Sequence, residues 1–225
     1  MNKIQKFETF LNLGSEELNI TVFDDNQKII YEDKSTKEKD LDKFLDKNIY
    51  KIEKLTNDFI KNINLVVETD EFTSIKTSIK KNFLGKKITE IEMKHMLFEI
   101  KEQIKENNPT KSIIHMLIEK YMINGQPYKE LNQEINCHQL NLEMKFICLS
   151  NEYIKNLNSN FKNYQITINR IISANYANSF FNQKNLSTNE LAFKIFAGEN
   201  TNEVQFIPKN SRKMGFFEKF FNMFN

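Results

Sequence analysis

Residues 140–148 read Leu-Asn-Leu-Glu-Met-Lys-Phe-Ile-Cys, in which apolar side chains recur at every second position. This period of two predicts a β-strand with one buried face. The nearly continuous apolar run 112–122 predicts the preceding strand, and Asn-Gly-Gln-Pro at 124–127 predicts the turn that ends it. The stretch 89–107 opens on Thr-Glu-Ile-Glu, a capping box that predicts a helix start. With a less regular strand at 72–81, the order is strand, helix, strand, strand.

The rest of the chain predicts further elements of both kinds. Apolar and alternating runs predict strands at 7–13, 17–23, 28–32, 64–68 and 165–172. Apolar residues on one helical face predict helices at 41–62, from Ser150 to Phe161, at 174–181, and a short capped helix from Leu186 to Phe196. Strands and helices mixed in this order predict an α+β fold with α/β-like layers.

The composition excludes several classes of protein. Hydrophobic residues make up 40% of the 225 residues, which is enough for a packed core, and the net charge is only +2. Acidic and basic residues are interspersed, so we expect no nucleic-acid partner. No apolar run is long enough to span a membrane, and residues 1–6 do not begin a secretory leader. Cys137 and Cys148 are expected to be reduced thiols, which favours the cytoplasm.

The residue types that carry chemistry do not form a known pattern. His95, His115 and His138 lack a second histidine or cysteine at metal-ligand spacing, so we expect no metal site. The five glycines stand apart, and the sequence has no P-loop, dinucleotide-binding or nucleophile-elbow motif. We therefore expect no catalytic residue, no cofactor and no small-molecule substrate. The protein is predicted not to be an enzyme.

The segment 211–225 contains five phenylalanines. Four of them are spaced i, i+3, i+4 and i+7, which predicts an amphipathic helix. A short helix is marginal in water without an apolar surface to fold against, and this one combines an apolar stripe with basic residues, which favours a membrane interface. The predicted membrane-binding residues are Lys209, Arg212, Lys213, Phe216, Phe217, Lys219, Phe220, Phe221, Met223 and Phe224. Two alternatives stay open: the helix packs back onto the protein, or it binds another protein.

The chain resembles FtsA, the actin-like bacterial cell-division protein. The stretch 10–23, with Phe-Leu-Asn-Leu-Gly-Ser and then Leu-Asn-Ile-Thr-Val-Phe, is similar to that family's opening phosphate hairpin. The stretch 88–181 is similar to the strand-helix-strand-strand module inserted into FtsA. It contains Ile-Thr-Glu-Ile-Glu-Met at its start, Tyr-Met-Ile-Asn-Gly-Gln-Pro at 121–127 and Ile-Ile-Ser-Ala-Asn-Tyr-Ala at 171–177. Lys-Met-Gly-Phe-Phe at 213–217 resembles the start of the family's membrane-targeting helix.

The chain departs from this family in two ways. The family's first loop has an aspartate two residues before its glycine, whereas this sequence has Asn12 before Gly14. A neutral amide does not supply the carboxylate that such a loop uses around metal and phosphate. The family also continues into a second phosphate loop and a second actin-like half, whereas this sequence passes to the phenylalanine-rich segment. The resemblance thus implies a degenerate phosphate loop of Asn12, Gly14 and Ser15 that does not bind ATP.

The sequence predicts four segments. They are a degenerate actin-like part at 1–82, the FtsA-like module with its return segment at 83–181, a linker with a short helix at 182–210, and the amphipathic helix at 211–225. The resemblance implies a non-enzymatic adaptor that docks division proteins through the module, with FtsZ or an FtsA-like subunit as candidates. We expect it to be cytoplasmic and peripheral on the inner face of the cell membrane, at the division site.

Three other interpretations stay open from the sequence. The chain is a soluble protein-interaction module, an actin-like nucleotide switch that a partner subunit completes, or a scaffold of pilus assembly similar to PilM-like proteins.

Overall fold

The computed structural model describes residues 7–36, 40–131, 135–181 and 185–205. These residues form nine strands and five helices, and the α+β class predicted from the sequence is confirmed. The chain divides into unit 1, residues 1–71 and 152–196, and unit 2, residues 72–151 and 197–225. Unit 1 is therefore discontinuous in sequence. The boundary predicted at residue 82 falls inside a single strand, Thr73–Lys86, which belongs to unit 2.

Unit 1 contains a five-stranded mixed sheet. Its order is β3 (Ile29–Ser35), β2 (Leu18–Asp24), β1 (Phe7–Leu13), β4 (Asn62–Val67) and β9 (Thr167–Ser173). β1 pairs antiparallel with β2 and parallel with β4, and β4 pairs parallel with β9. The register joins Leu13 to Val67, the last residues of β1 and β4. The β1–β2 turn and the residue after β4 therefore lie side by side at one edge of the sheet.

The helices of unit 1 begin at recognisable caps. Asp40 caps α1 (Leu41–Thr56) by accepting a hydrogen bond from the Lys43 amide. The prediction that this helix continues to residue 62 is wrong, because Asn57 has φ of 51° in the left-handed region that ends helices. The other helices are α3 (Asn151–Lys162), α4 (Ala174–Phe181) and α5 (Thr188–Phe196).

An aromatic cluster fixes α5 against the sheet of unit 1. Phe10 of β1 is fully buried, and its ring centroid lies 5.7 Å from that of Phe193 and 5.6 Å from that of Phe196. Phe193 also stacks on Phe23 at 4.3 Å. The amide of Asn189 adds a buried polar contact, because its Nδ2 donates to the carbonyl oxygen of Asn19 at 3.0 Å. Both kinds of contact hold the short helix in place.

Unit 2 contains a four-stranded antiparallel sheet and one helix. The order is β5 (Thr73–Lys86), β8 (Cys137–Ser150), β6 (Lys111–Ile123) and β7 (Gln126–Tyr128). The predicted capping box of α2 (Glu90–Asn107) is confirmed: Thr89 and Glu92 bond each other's backbone amides. Met96 and Leu97 of α2 are buried in one core with Phe146 of β8.

A segment near the end of the described chain lies along β6. The amide of Ile118 donates to the Asn202 carbonyl at 2.9 Å, and the amide of Val204 donates to the Met116 carbonyl at 2.8 Å. Glu203, between these contacts, lies with its carboxylate Oε1 2.8 Å from Nδ1 of His115. Both side chains of this pair are buried. Unit 2 thus closes part of the β6 edge with its own chain.

Candidate functional site

The β1–β2 turn has the tight geometry that its glycine allows. The amide of Gly14 donates to the Glu17 carbonyl at 3.1 Å. A Cβ at residue 14 would lie only 2.9 Å from that same carbonyl oxygen, so a side chain at this position would displace the turn. The turn therefore brings backbone amide groups close to any group at its mouth, as in anion-binding turns.

The group at that mouth is a carboxylate of the chain itself. Glu68 is the first residue after β4, and its amide donates to the Leu13 carbonyl at 3.2 Å. Its Oε2 accepts hydrogen bonds from the amide of Ser15 at 3.0 Å and from the Ser15 hydroxyl at 3.1 Å. An amide and a hydroxyl are the donors that a phosphate-binding turn offers to a phosphate oxygen. In this turn, both donors are already bonded to the carboxylate of Glu68.

Asn12 is the third predicted member of the degenerate phosphate loop. The structure places it at the end of β1, where it is buried and its Oδ1 has no hydrogen-bond partner among the described residues. The amide is neutral, so β1 contributes no carboxylate that would bind a metal ion at the turn. Together, Asn12, Ser15 and Glu68 do not fit a phosphate with its metal, because the charges at the turn, those of Glu16, Glu17 and Glu68, are all negative and repel phosphate. The structure places Asn12 near the end of β1 and Gly14 and Ser15 in the turn that follows, and the degenerate phosphate loop itself stays a prediction.

The histidines and cysteines lie apart from this turn. His95 and His138 are exposed, whereas His115 is buried with Glu203. Within the described ranges, no three His, Cys, Asp or Glu side chains lie close enough together to hold a metal ion. Cys137 and Cys148 are free and buried, and burial raises the pKa of both thiols, which lowers their reactivity.

The predicted membrane-binding residues lie outside the described residues. They are Lys209, Arg212, Lys213, Phe216, Phe217, Lys219, Phe220, Phe221, Met223 and Phe224. The described chain ends at Gln205, directly after the segment that pairs with β6. In the part of the chain that the structure describes, helices are too short or too polar to cross a bilayer.

Sequence reasoning missed Glu68, which the structure shows to be central to the turn. The signal for it was present, since residue 68 follows an apolar strand in a chain that opens with a hairpin. If that strand is paired in parallel with the first, residue 68 lies beside the hairpin turn. Glu203 gave no comparable signal, because it lies 88 residues from His115 in a polar segment.

Solved structures that match this chain include three at low sequence identity. The cytoplasmic domain of EpsL, an inner membrane component of the type II secretion system of Vibrio cholerae, matches 76% of this chain at 11% identity with a TM-score of 0.34. A chain of the PilM–PilN type IV pilus biogenesis complex matches 77% at 8% identity and 0.43. A Bacteroides thetaiotaomicron protein of unknown function with an actin-like ATPase fold matches 76% at 11% identity and 0.33.

The chain spans about half the length of these solved structures, covering 57%, 49% and 53% of them. TM-scores below 0.5 at such identities do not establish a shared function. No family model matches the sequence. No curated protein matches it either.

Proposed function

We propose that this protein is a non-enzymatic, membrane-associated adaptor of the FtsA type, with a shortened actin-like part. The observation that carries the proposal is the closed β1–β2 turn, in which Glu68 takes the donors of Ser15. If the opening hairpin is of the actin-like kind, the Glu68 carboxylate occupies the donors that a nucleotide phosphate would need, so the hairpin does not bind nucleotide. Its role is then to hold other molecules together.

The discontinuity of unit 1 supports the resemblance to FtsA. Unit 2 enters the sequence between β4 and α3 and contains β5, α2, β6, the three-residue β7 and β8, so its long elements follow the order strand, helix, strand and strand. The resemblance rests on a module inserted at the corresponding point of the chain. Unit 2 is the proposed docking module for division proteins, with FtsZ or an FtsA-like subunit as candidate partners.

The membrane part of the proposal rests on the sequence 206–225. Full burial of a phenylalanine contributes about 1.5–3 kcal/mol, and each basic residue near an anionic surface adds about 1 kcal/mol. Several phenylalanines with Lys209, Arg212 and Lys213 therefore give the two signals that stable peripheral binding needs. The proposed location is the cytoplasmic face of the cell membrane, at the division site.

The closed turn weighs against the nucleotide-switch interpretation. A partner subunit that completed the site would still have to displace the Glu68 carboxylate from Ser15 before a phosphate entered. It would also have to provide the metal-binding carboxylate that Asn12 does not supply. Both requirements make nucleotide binding at this turn less favourable, so we propose that the protein has no ATPase activity.

Co-sedimentation with liposomes tests the proposed function. The full chain is mixed with vesicles that contain phosphatidylglycerol, alongside a Phe217→Glu/Phe221→Glu variant. The matched control is Leu55→Glu/Phe59→Glu, which makes the same kind of change at two positions of unit 1 that are already exposed. We expect the wild type and the control to pellet at low salt and the tail variant to remain in the supernatant. If all three chains stay in the supernatant, the membrane role is wrong.

A further inference from the structure

The longest unpaired strand edge of the described residues belongs to β5. This strand lies at one end of the sheet order of unit 2 and pairs with β8 from Thr73 to Lys86. No described strand pairs with its other side. At the opposite end of the sheet, β7 and the segment around Glu203 both pair with β6. Among the described residues, one end of this sheet is therefore covered by additional pairing, whereas the β5 end is not.

The charge on β5 has one sign over its whole length. Four lysines, Lys76, Lys80, Lys81 and Lys86, lie in the strand, and no acidic residue does. Lys76 and Lys80 are exposed and lie on the same face, since they are four residues apart in a strand. Lys76 is opposite Lys145 of β8, a like-charged cross-strand pair. Among the described residues, the carboxylate of Glu119 lies 3.3 Å from Nζ of Lys76, and Glu143 of β8, opposite Ser78, is the diagonal neighbour of both Lys76 and Lys80.

The other face of β5 carries Ile75, Ile79 and Phe83 alternating with Thr77 and Lys81, and its apolar part is incompletely covered. Ile75 and Ile79 pack against the core of unit 2 but remain partly exposed. Phe83, further along the same face, is buried. A further strand on this edge would place its own alternate side chains beside Ile75 and Ile79, and would extend the core by burying them.

We propose that the β5 edge binds a partner protein by strand addition, and that the partner supplies an extended segment with alternating acidic and apolar residues. Carboxylates on one face would lie opposite Lys76 and Lys80, at the short distances typical of cross-strand pairs. Apolar side chains on the other face would cover Ile75 and Ile79. This inference rests on the proposed adaptor function and names the chemical class of one of its partners.

A second copy of this chain does not fit the same edge. Pairing β5 with β5 brings lysines against lysines on both strands, with no acid in either to compensate. Lysines on a strand edge are also a known device against edge-to-edge aggregation. If the lysines only prevent aggregation, the β5 edge should not bind an acidic strand, whereas the proposal predicts that it does.

A peptide-binding titration separates the two roles. The probe is a fluorescein-labelled peptide of four Val-Glu repeats, and the control probe has its two central valines replaced by proline, which keeps the charge but prevents strand pairing. Fluorescence anisotropy is measured with the full chain in solution, without vesicles. We expect saturable binding of the Val-Glu peptide, no binding of the proline peptide, and slower hydrogen exchange of β5 amides in the complex.

The matched variants change charge by the same amount in different places. Lys76→Glu/Lys80→Glu reverses the edge, and Lys54→Glu/Lys155→Glu reverses two exposed lysines of unit 1. We expect the edge variant to bind the peptide about tenfold more weakly or not at all, and the unit 1 variant to bind as the wild type does. Circular dichroism checks that both variants fold.

Three outcomes overturn the proposal. The first is no saturable binding of the Val-Glu peptide to the wild type, which leaves the lysines with their protective role only. The second is equal loss of binding in the two variants, and the third is equal binding of both peptides; each of these shows charge attraction without strand pairing. All three outcomes leave the liposome result unaffected, so failure here and failure of the membrane role are distinguishable.

Discussion

Two regions of the molecule have backbone hydrogen-bond donors outside regular strand pairing, one at a turn and one along a strand edge. The donors are bonded within the chain in the first region but not to another described strand in the second. At the β1–β2 turn of unit 1, the amide and hydroxyl of Ser15 donate to Glu68. At the β5 edge of unit 2, no described strand pairs with the side away from β8. The first region is closed by the chain itself, whereas the second is open and carries lysines.

The difference indicates where this protein meets other molecules. At the β1–β2 turn, the Ser15 donors are already bonded to Glu68, so little is gained by binding an anion there. An open edge still offers a ladder of hydrogen bonds to a partner. These two features support the proposed role in binding proteins rather than nucleotides.

Substitution of Phe10 tests how strongly the closed region is packed. Phe10→Ala is expected to lower the free energy of unfolding by about 3–5 kcal/mol, because the ring is fully buried against Phe193 and Phe196. Ile79→Ala, on the half-covered face of β5, is expected to cost clearly less. Urea denaturation monitored by circular dichroism measures both changes. Equal costs at the two positions would contradict the contrast between a closed and an open region.

Removal of Glu203 tests what happens when a closed edge is opened. Glu203→Ala is expected to lower the free energy of unfolding by about 3 kcal/mol, since it takes a buried carboxylate from His115. Hydrogen exchange should also become faster at the amides of Ile118 and Val204, which pair this segment with β6. Glu106→Ala, at an exposed position of α2, is the control. Unchanged exchange at Ile118 would show that the segment is held by other contacts.

Alkaline titration compares the two units through a tyrosine in each. Burial raises the pKa of Tyr121 to about 12, with a smaller contribution from the charge of Glu130. The unfolded chain, with an ordinary pKa near 10, loses this proton first, so stability is full below pH 10 and falls as pH rises toward 12. Tyr121 should therefore account for about 1.4 kcal/mol of destabilisation at pH 11, which Tyr121→Phe removes.

In unit 1 the pKa of Tyr164 is also raised, by burial and then by the hydrogen bond from its hydroxyl to Asp46 at 3.0 Å. Its contribution should become smaller when salt is added, because carboxylate charges act on it at a partly exposed site. The contribution of Tyr121 should depend less on salt. The free energy of unfolding is measured with urea at pH 9 and pH 11, without salt and with about 0.5 M salt, at which charge screening is strong. Equal salt dependence of the effects of Tyr121→Phe and Tyr164→Phe would contradict this prediction.

Substitution of Glu68 has the smallest expected effect on stability. Glu68→Ala removes two hydrogen bonds from Ser15 at an exposed turn, so we expect a loss of about 1 kcal/mol. The amide of Ser15 should exchange faster with solvent, whereas Glu68→Gln should retain part of its protection. Nuclear magnetic resonance exchange measurements read this amide directly. If the Ser15 amide exchanges at the same rate in all three chains, the turn is not closed by Glu68 in solution.

Most of the fold was predictable because local signals agreed with one another. The alternation from Leu140 to Cys148 and the capping box at Thr89 each predicted an element that the structure confirms. The short capped helix predicted from Leu186 to Phe196 is found as α5, which begins at Thr188. The end of α1 was not predicted, because apolar residues continue with helical spacing beyond Asn57 although the backbone turns left-handed there. Of these residues, Phe59 is exposed before the strand, and Ile63 is buried in the strand that begins at Asn62.

The functional contacts were less predictable, because they join residues that are distant in sequence. Asn12, Gly14 and Ser15 lie close together because they share one hairpin. Their partner Glu68 is 53 residues further along and is placed by the parallel pairing of β1 and β4. The open edge of β5 depends on which strands become neighbours, and strand periodicity alone does not give that order.

The most direct test of the account asks whether this chain joins a membrane to a protein partner. The labelled Val-Glu peptide is mixed with phosphatidylglycerol vesicles and the full chain, and the pellet is assayed for peptide after centrifugation. The account predicts peptide in the pellet with the wild type, and none with Phe217→Glu/Phe221→Glu or with Lys76→Glu/Lys80→Glu. Wild-type protein that pellets with the vesicles while the peptide stays in the supernatant would contradict it.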